Sequence, residues 1–290
     1  NFCPFGLSLI QSLRLHDSSS FIFVLCLDKY TFLLLQNLDL ENIQLIQLLE
    51  LEKAFPDLLE AKANRSTIEY YWTLTPYVIY YIIYEIKACS TLTYLDADQF
   101  FYCDPKIIFD EIENSDVAIM PHRFPESIDS SIEHGNFNVS WLTFKNTPNA
   151  KACLEWWKES CHEWCYAAGD QYRYGDQKYL DDFPEKFNHV HIIRNTGCGV
   201  APWNLATFDF RKQLILFHFE SFRIRSLKLF TAIIPLIKEC NLSDFKKLVL
   251  IPYFKILKKN LTIIESIPNN PSDKSDEITQ NSLLFLFFFK

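Results

Sequence analysis

Tyr94-Leu95-Asp96-Ala97-Asp98-Gln99-Phe100-Phe101 is a short apolar run that halts at two aspartates one residue apart. Side chains at i and i+2 of a strand share a face. A strand over residues 91–95 therefore projects both carboxylates from its C-terminal end into one small volume. Like charges that close repel, and a cation relieves them. Hard divalent ions such as Mg²⁺ and Mn²⁺ take carboxylate oxygens and commonly keep a substrate phosphate as a further ligand. The same residues also suit a plain turn, because Asp starts many loops. The sharper expectation is a metal–diphosphate site at a strand end.

Outward from this stretch, helical and strand patterns alternate. Residues 4–16 read as an amphipathic helix and residues 21–26 (FIFVLC) as a buried strand. A helix over 30–38 and a strand over 43–49 follow. Residues 66–88 are long, Tyr-rich and mainly helical, with Pro76 interrupting. Further strands are expected at 117–120, 138–144, 189–193 and 214–217, and helices at 105–112, 149–167 and from 177. This alternation predicts an α/β fold with a mostly parallel central sheet flanked by helices. In such sheets ligands bind beyond the C-terminal strand ends, where Asp96 and Asp98 sit. Residues 227–262 read as helical, residues 267–282 as a polar linker, and residues 283–289 as an apolar tail too short to span a membrane.

Bulk composition narrows the function classes. The chain has 290 residues, 49% of them hydrophobic, which is enough for a folded core. A net charge of −8 does not favour nucleic acid as a partner. The 26 phenylalanines read as sequence bias plus core rather than a stacking platform. Nine scattered cysteines do not form a disulfide framework, and the first residues lack a leader pattern. A cytoplasmic location is therefore expected, with peripheral contact at the inner face of the membrane through the apolar tail.

Four polar-containing segments accompany the aspartates: Asn64-Arg65-Ser66, FNVSWLTFK over 137–145, GDQKYL over 175–180, and FHFESFR over 217–223. Their order resembles the GT-A fold nucleotide-diphospho-sugar transferases, nearest to glycosyltransferase family 8 and allied bacterial proteins. The resemblance runs from about residue 4 to 225. It implies a Rossmann-like GT-A domain over 1–225, a helical C-terminal extension over 226–265, and a linker with its tail over 266–290. It also implies a hexosyl transfer from a nucleoside-diphosphate sugar, most simply a UDP-sugar. The acceptor would be a glycan or lipid-linked hydroxyl in envelope glycan or lipopolysaccharide-type synthesis.

The resemblance implies residue roles as well. Asp96, Asp98 and His218 would hold Mn²⁺ or Mg²⁺, and Asp96 would also meet the donor ribose. Arg65 and Arg223 would face the diphosphate, and Asn138 the donor sugar. Asp176 and Gln177 would lie by the sugar and the acceptor hydroxyl; Asp176 equally suits a helix N-cap. The chain departs from the pattern in three places. No strand is visible before the first helix, Ser221 replaces a frequent Gly, and a frequent Lys-Pro-Trp is absent. These departures leave open a degenerate binder without turnover. A phosphatase of the haloacid dehalogenase type also carries Asp-x-Asp after a strand, but Phe100 stands where that chemistry wants Thr or Val.

Overall fold

The structure is a computed structural model that describes residues 2–170, 172–226, 229–267 and 283–288. Its strands are β1 (Phe21–Cys26), β2 (Ile43–Gln47), β3 (Thr91–Asp96), β4 (Gln99–Phe101), β5 (Val117–Pro121), β6 (Phe137–Lys145), β7 (Val190–Ile192), β8 (Cys198–Val200), β9 (Leu216–His218), β10 (Arg223–Ser226), β11 (Leu229–Thr231) and β12 (Leu283–Phe288). The helices that matter for the site are α1 (Cys3–Arg14), α2 (Lys29–Asn37), α3 (Thr67–Tyr80), α4 (Pro148–Glu163) and α5 (Ile251–Ser266).

Local chemistry sets the helix starts. The Asp28 carboxylate caps α2 by accepting from the Thr31 backbone N–H at 2.8 Å. At α3 the Ser66 backbone N–H donates to the Glu69 carboxylate at 2.9 Å, as half of a capping box. Glu69 also accepts from the Ala167 backbone N–H at 2.8 Å, which ties the start of α3 to the loop after α4.

Seven strands form the main sheet in the order β2-β1-β12-β3-β6-β5-β7. β1 pairs parallel with β2, and β5 with β7; the other four pairings are antiparallel. The expectation of a mostly parallel sheet needs correction. Five strands run one way, but the two reversed strands, β12 and β6, lie between them and convert most ladders to antiparallel. No strand precedes α1 among the described residues, and β12 occupies the sheet position between β1 and β3. Residues 283–288 therefore do not form the membrane-facing tail expected from their composition. Residues 268–282, expected as a linker, lie outside the described residues.

Both faces of the sheet are covered, and side chains divide between them with a period of two. Phe23 and Leu25 of β1 face the cluster under α3 and α4, with Leu74, Leu142 and Trp157. Ile22 and Val24 face the opposite cluster, with Leu9 and Leu13 of α1 and Trp141. A small sheet, β4-β9-β8, carries the third cluster. Its phenylalanines Phe100 and Phe217, with Phe219 just after β9, pack against Phe245, Val249, Tyr253 and Leu257. The expectation of a helix throughout 227–262 also needs correction. The long α-helix begins at Ile251, after β11 and short turns of 3₁₀, α and π helix. α5 lies on α1, where buried Asn260 donates to Ser8 Oγ at 3.0 Å and accepts from Gln11 Nε2 at 2.9 Å.

Candidate metal centre and cleft

The topology directs the C-terminal ends of β1, β3, β5 and β7 to one edge of the sheet. The reversed strand β6 brings its N-terminus, with Asn138, to that same edge. Asp96 ends β3, Ala97 and Asp98 form the turn, and the chain then crosses into β4 of the small sheet. β4 pairs antiparallel with β9, and its register sets Gln99 opposite His218. A backbone bond from Phe219 N–H to the Asp98 carbonyl, 2.7 Å, fastens the turn to the end of β9. Residues 120 positions apart in sequence thus share one point.

His218 Nε2 lies 3.1 Å from Asp98 Oδ1 and 3.6 Å from Asp96 Oδ2. Within this group the candidate ligand atoms all fall within 4.8 Å of one another. Tyr94 donates its hydroxyl to the other Asp96 oxygen at 2.8 Å and fixes that carboxylate. His218 and Asp98 are buried, while the Asp96 side chain opens to the cleft. Burial raises the Asp96 carboxyl above its usual range; His218 opposes this and Asp98 adds to it. Burial pulls the His218 imidazole down, but Asp98 and Asp96 outweigh it and carry the group up to about 9.

This donor set fits a divalent cation. Two carboxylates and one imidazole suit Mn²⁺ or a similar borderline ion. The observation that bears most directly on fit is the crowding of two carboxylates, the buried Asp98 and the half-buried Asp96, about one imidazole nitrogen. A cation there would relieve the repulsion between them. His218 Nδ1 is buried without a partner, so the imidazole is oriented by its contacts at Nε2 and by packing against Trp203, 5.6 Å away edge-on.

The cluster opens into a cleft of about 610 Å³. Asp176, Gln177, Asn138 and Arg223 all line it with Asp96, Asp98 and His218. Gly175 precedes Asp176 at φ +51°, and a Cβ there would lie 3.1 Å from the Trp72 ring, so the turn depends on glycine. Burial, reinforced by Asp96, raises the Asp176 carboxyl to about 7, while Thr75 hydrogen-bonds it and opposes the shift. Arg223 is exposed at the rim, where its guanidinium donates to the Glu220 and Phe222 carbonyls at 2.8 and 2.9 Å.

Arg65 is the exception. It does not line the cleft. Its guanidinium donates to Thr73 Oγ1 and the His162 carbonyl and lies over the Tyr166 ring, 5.4 Å from its centroid. Its expected place at the diphosphate is corrected to a tie between α3 and the end of α4. Each terminal nitrogen donates to one of these acceptors, while Nε is buried without a partner.

Sequence reasoning passed over His122, which the structure places at the centre of the polar wall. Its Nδ1 lies 3.0 Å from the Gly135 carbonyl, and its Nε2 lies 3.2 Å from Asn138 Nδ2. These partners assign the proton to Nδ1 and make Nε2 the acceptor. Asn138 also reaches Gln177 Oε1 at 3.4 Å, and Gln177 Nε2 donates to the His134 carbonyl at 2.9 Å. The chain His122–Asn138–Gln177 holds the two loops of the cleft wall together. The signal was present in the sequence: His122 follows Pro121, the last residue of β5, at the edge that carries the aspartates. Tyr71, Trp72, Tyr174 and Phe124 add aromatic lining to the cleft.

No family model matches the chain. It is 30% identical over 273 residues to the uncharacterized protein YfnD of Bacillus subtilis (strain 168), covering 89% of this chain and 86% of that one. It is 33% identical over 240 residues to the uncharacterized protein YfnF of the same organism, covering 77% and 78% respectively. Among solved structures, mouse xyloside xylosyltransferase 1 in its apo form aligns with a TM-score of 0.47 and 12% identity, covering 75% of this chain and 91% of that one. A likeness that loose carries no argument about activity.

Proposed function

Because the chain belongs to one family with YfnD and YfnF, whose names assign no reaction, we propose its function from its own cleft: a metal-dependent glycosyltransferase using a nucleoside-diphosphate sugar. The observation that carries this reading is the Asp96–Asp98–His218 cluster, its ligand atoms within 4.8 Å of one another, lining a cleft of about 610 Å³. Asp96, Asp98 and His218 hold Mn²⁺ or Mg²⁺. The bound ion supplies Lewis-acid stabilisation of the departing nucleoside diphosphate.

In the transfer, the bond from the anomeric carbon to the diphosphate oxygen breaks and a bond to an acceptor oxygen forms. The acceptor hydroxyl must lose its proton. Asp176 suits that role, since a carboxyl held near neutrality can accept a proton and release it again. Gln177 and Asn138 are locked by their shared network and offer fixed polar groups to sugar hydroxyls. Arg223 at the rim supplies positive charge toward the diphosphate. The order of motifs supports a UDP-sugar donor and a glycan or lipid-linked acceptor of the cell envelope, met from the cytoplasmic side.

The test is a panel of nucleotide sugars with the purified protein and Mn²⁺, following release of nucleoside diphosphate. Release that needs Mn²⁺ and is lost in Asp98→Asn supports the reading. Full activity of Asp98→Asn, or activity undiminished by a chelator, would refute the metal-dependent mechanism.

A further inference from the structure

We propose that the outer face of α5 and of the turns before it is a docking surface for an anionic lipid bilayer. The chain as a whole carries a net charge of −8, yet residues 245–264 contain five lysines and no acidic residue, with Asp244 and Glu265 flanking them and Glu239 in the turns before. All five, Lys246, Lys247, Lys255, Lys258 and Lys259, are exposed, and none is ion-paired among the described residues. Three of them, Lys246, Lys255 and Lys258, line an apolar groove of about 620 Å³ together with Ile234, Ile237, Leu242, Ile251 and Phe254. On α5 the spacing of Ile251, Phe254, Lys255 and Lys258 is i, i+3, i+4, i+7, so apolar and cationic groups share one face.

Large aliphatic side chains protrude around this groove. Of its lining residues Ile251 is 56% exposed and Leu242 51%, and Ile233, the neighbour of Ile234, is 76% exposed. Protruding aliphatics beside unpaired lysines are the composition of a surface that enters a headgroup layer and meets lipid phosphates. No helix among the described residues is long and apolar enough to cross a membrane, so this contact is interfacial. Charge complementarity selects a bilayer and also sets its orientation. An acidic protein is repelled from an anionic surface on most of its faces and attracted at this one.

The opposite face of the same helix leads to the cleft. Tyr253 is fully buried and stacks on Phe219 at 3.6 Å between ring centroids. Phe219 follows His218 directly. A bilayer held on the outer face therefore stands in a fixed relation to the metal cluster and to the Arg223 rim, with one helix and one strand between.

The experiment is vesicle co-sedimentation with the full chain. Vesicles of phosphatidylcholine alone are compared with vesicles containing phosphatidylglycerol. Binding is expected to the anionic vesicles only and to be released by added salt. At roughly fivefold per lysine, Lys255→Gln/Lys258→Gln should weaken binding about 25-fold. Ile251→Ser and Leu242→Ser should weaken it without changing charge. All four side chains are exposed, so circular dichroism should show unchanged folding. The lipid and salt dependence of the unmodified chain is decisive even if a variant misfolds. Equal binding to neutral and anionic vesicles, or no binding to either, would overturn the proposal. So would a dimer formed without lipid and abolished by Ile251→Ser, which would assign the groove to a second copy of the chain. None of these readouts depends on the activity proposed for the cleft.

Discussion

At the residue scale the decisive contact is one imidazole nitrogen between two carboxylates. If His218 Nε2 and both aspartates ligate one ion, removing any of them should be severe. We expect Asp98→Asn to weaken Mn²⁺ binding by more than about a hundredfold in calorimetry, beyond what loss of an orienting partner costs. His122 yields a different test. Burial holds its imidazole down to about 3, so the folded chain keeps it neutral while an unfolded chain takes a proton below about 6.5. Stability from this site is complete above about pH 6.5 and is lost as pH falls toward 3. By pH 5 the loss should reach about 2 kcal/mol, at 1.36 kcal/mol per unit. Denaturant midpoints measured from pH 7 to 5 should fall less steeply in His122→Asn than in the unmodified chain. The sequence made Asp96 and Asp98 legible because they end a short apolar strand; His218 was reached only through the family resemblance. Arg65 misled because its own acceptors, Thr73 and the His162 carbonyl, lie 8 and 97 positions away.

At the element scale, long alternating strands were readable and very short ones were not. β1, β3, β5 and β6 appear within one residue of their expected bounds. β4 and β8 have three residues each, too few to show a period, although β4 carries the register that delivers His218. β12 was read as a tail because an apolar run alone does not name its partner. Its backbone pairs with β1 on one side and β3 on the other, so a proline there breaks a ladder inside the sheet. Leu286→Pro should lower stability by about 2 kcal/mol or more, seen as a lower denaturation midpoint. If the midpoint does not move, residues 283–288 do not hold that position. Asn260→Ala should cost about 1–2 kcal/mol by removing two buried hydrogen bonds between α5 and α1.

At the scale of the whole molecule, the cleft exists because strand direction collects distant segments at one edge. β3, β5 and the N-terminus of β6 supply Asp96, His122 and Asn138, while the small sheet supplies His218. A ligand at such a junction should stabilise the whole fold. Mn²⁺ at a hundredfold excess over its Kd should add about 2.7 kcal/mol to unfolding, read as a higher Tm that EDTA reverses and His218→Asn lacks.

By itself the sequence determined the alternation of helices and strands, the aspartate pair at a strand end, and three of the four polar segments, those with Asn138, Asp176 and His218, that reach the cleft. These are local properties, written in side-chain period and residue type. Tertiary structure decided the antiparallel insertion of β12 and β6, the meeting of Asp98 with His218, the withdrawal of Arg65 and the role of His122. Those outcomes depend on which backbone edges and acceptors remain free once the chain has packed, and no local pattern encodes that competition.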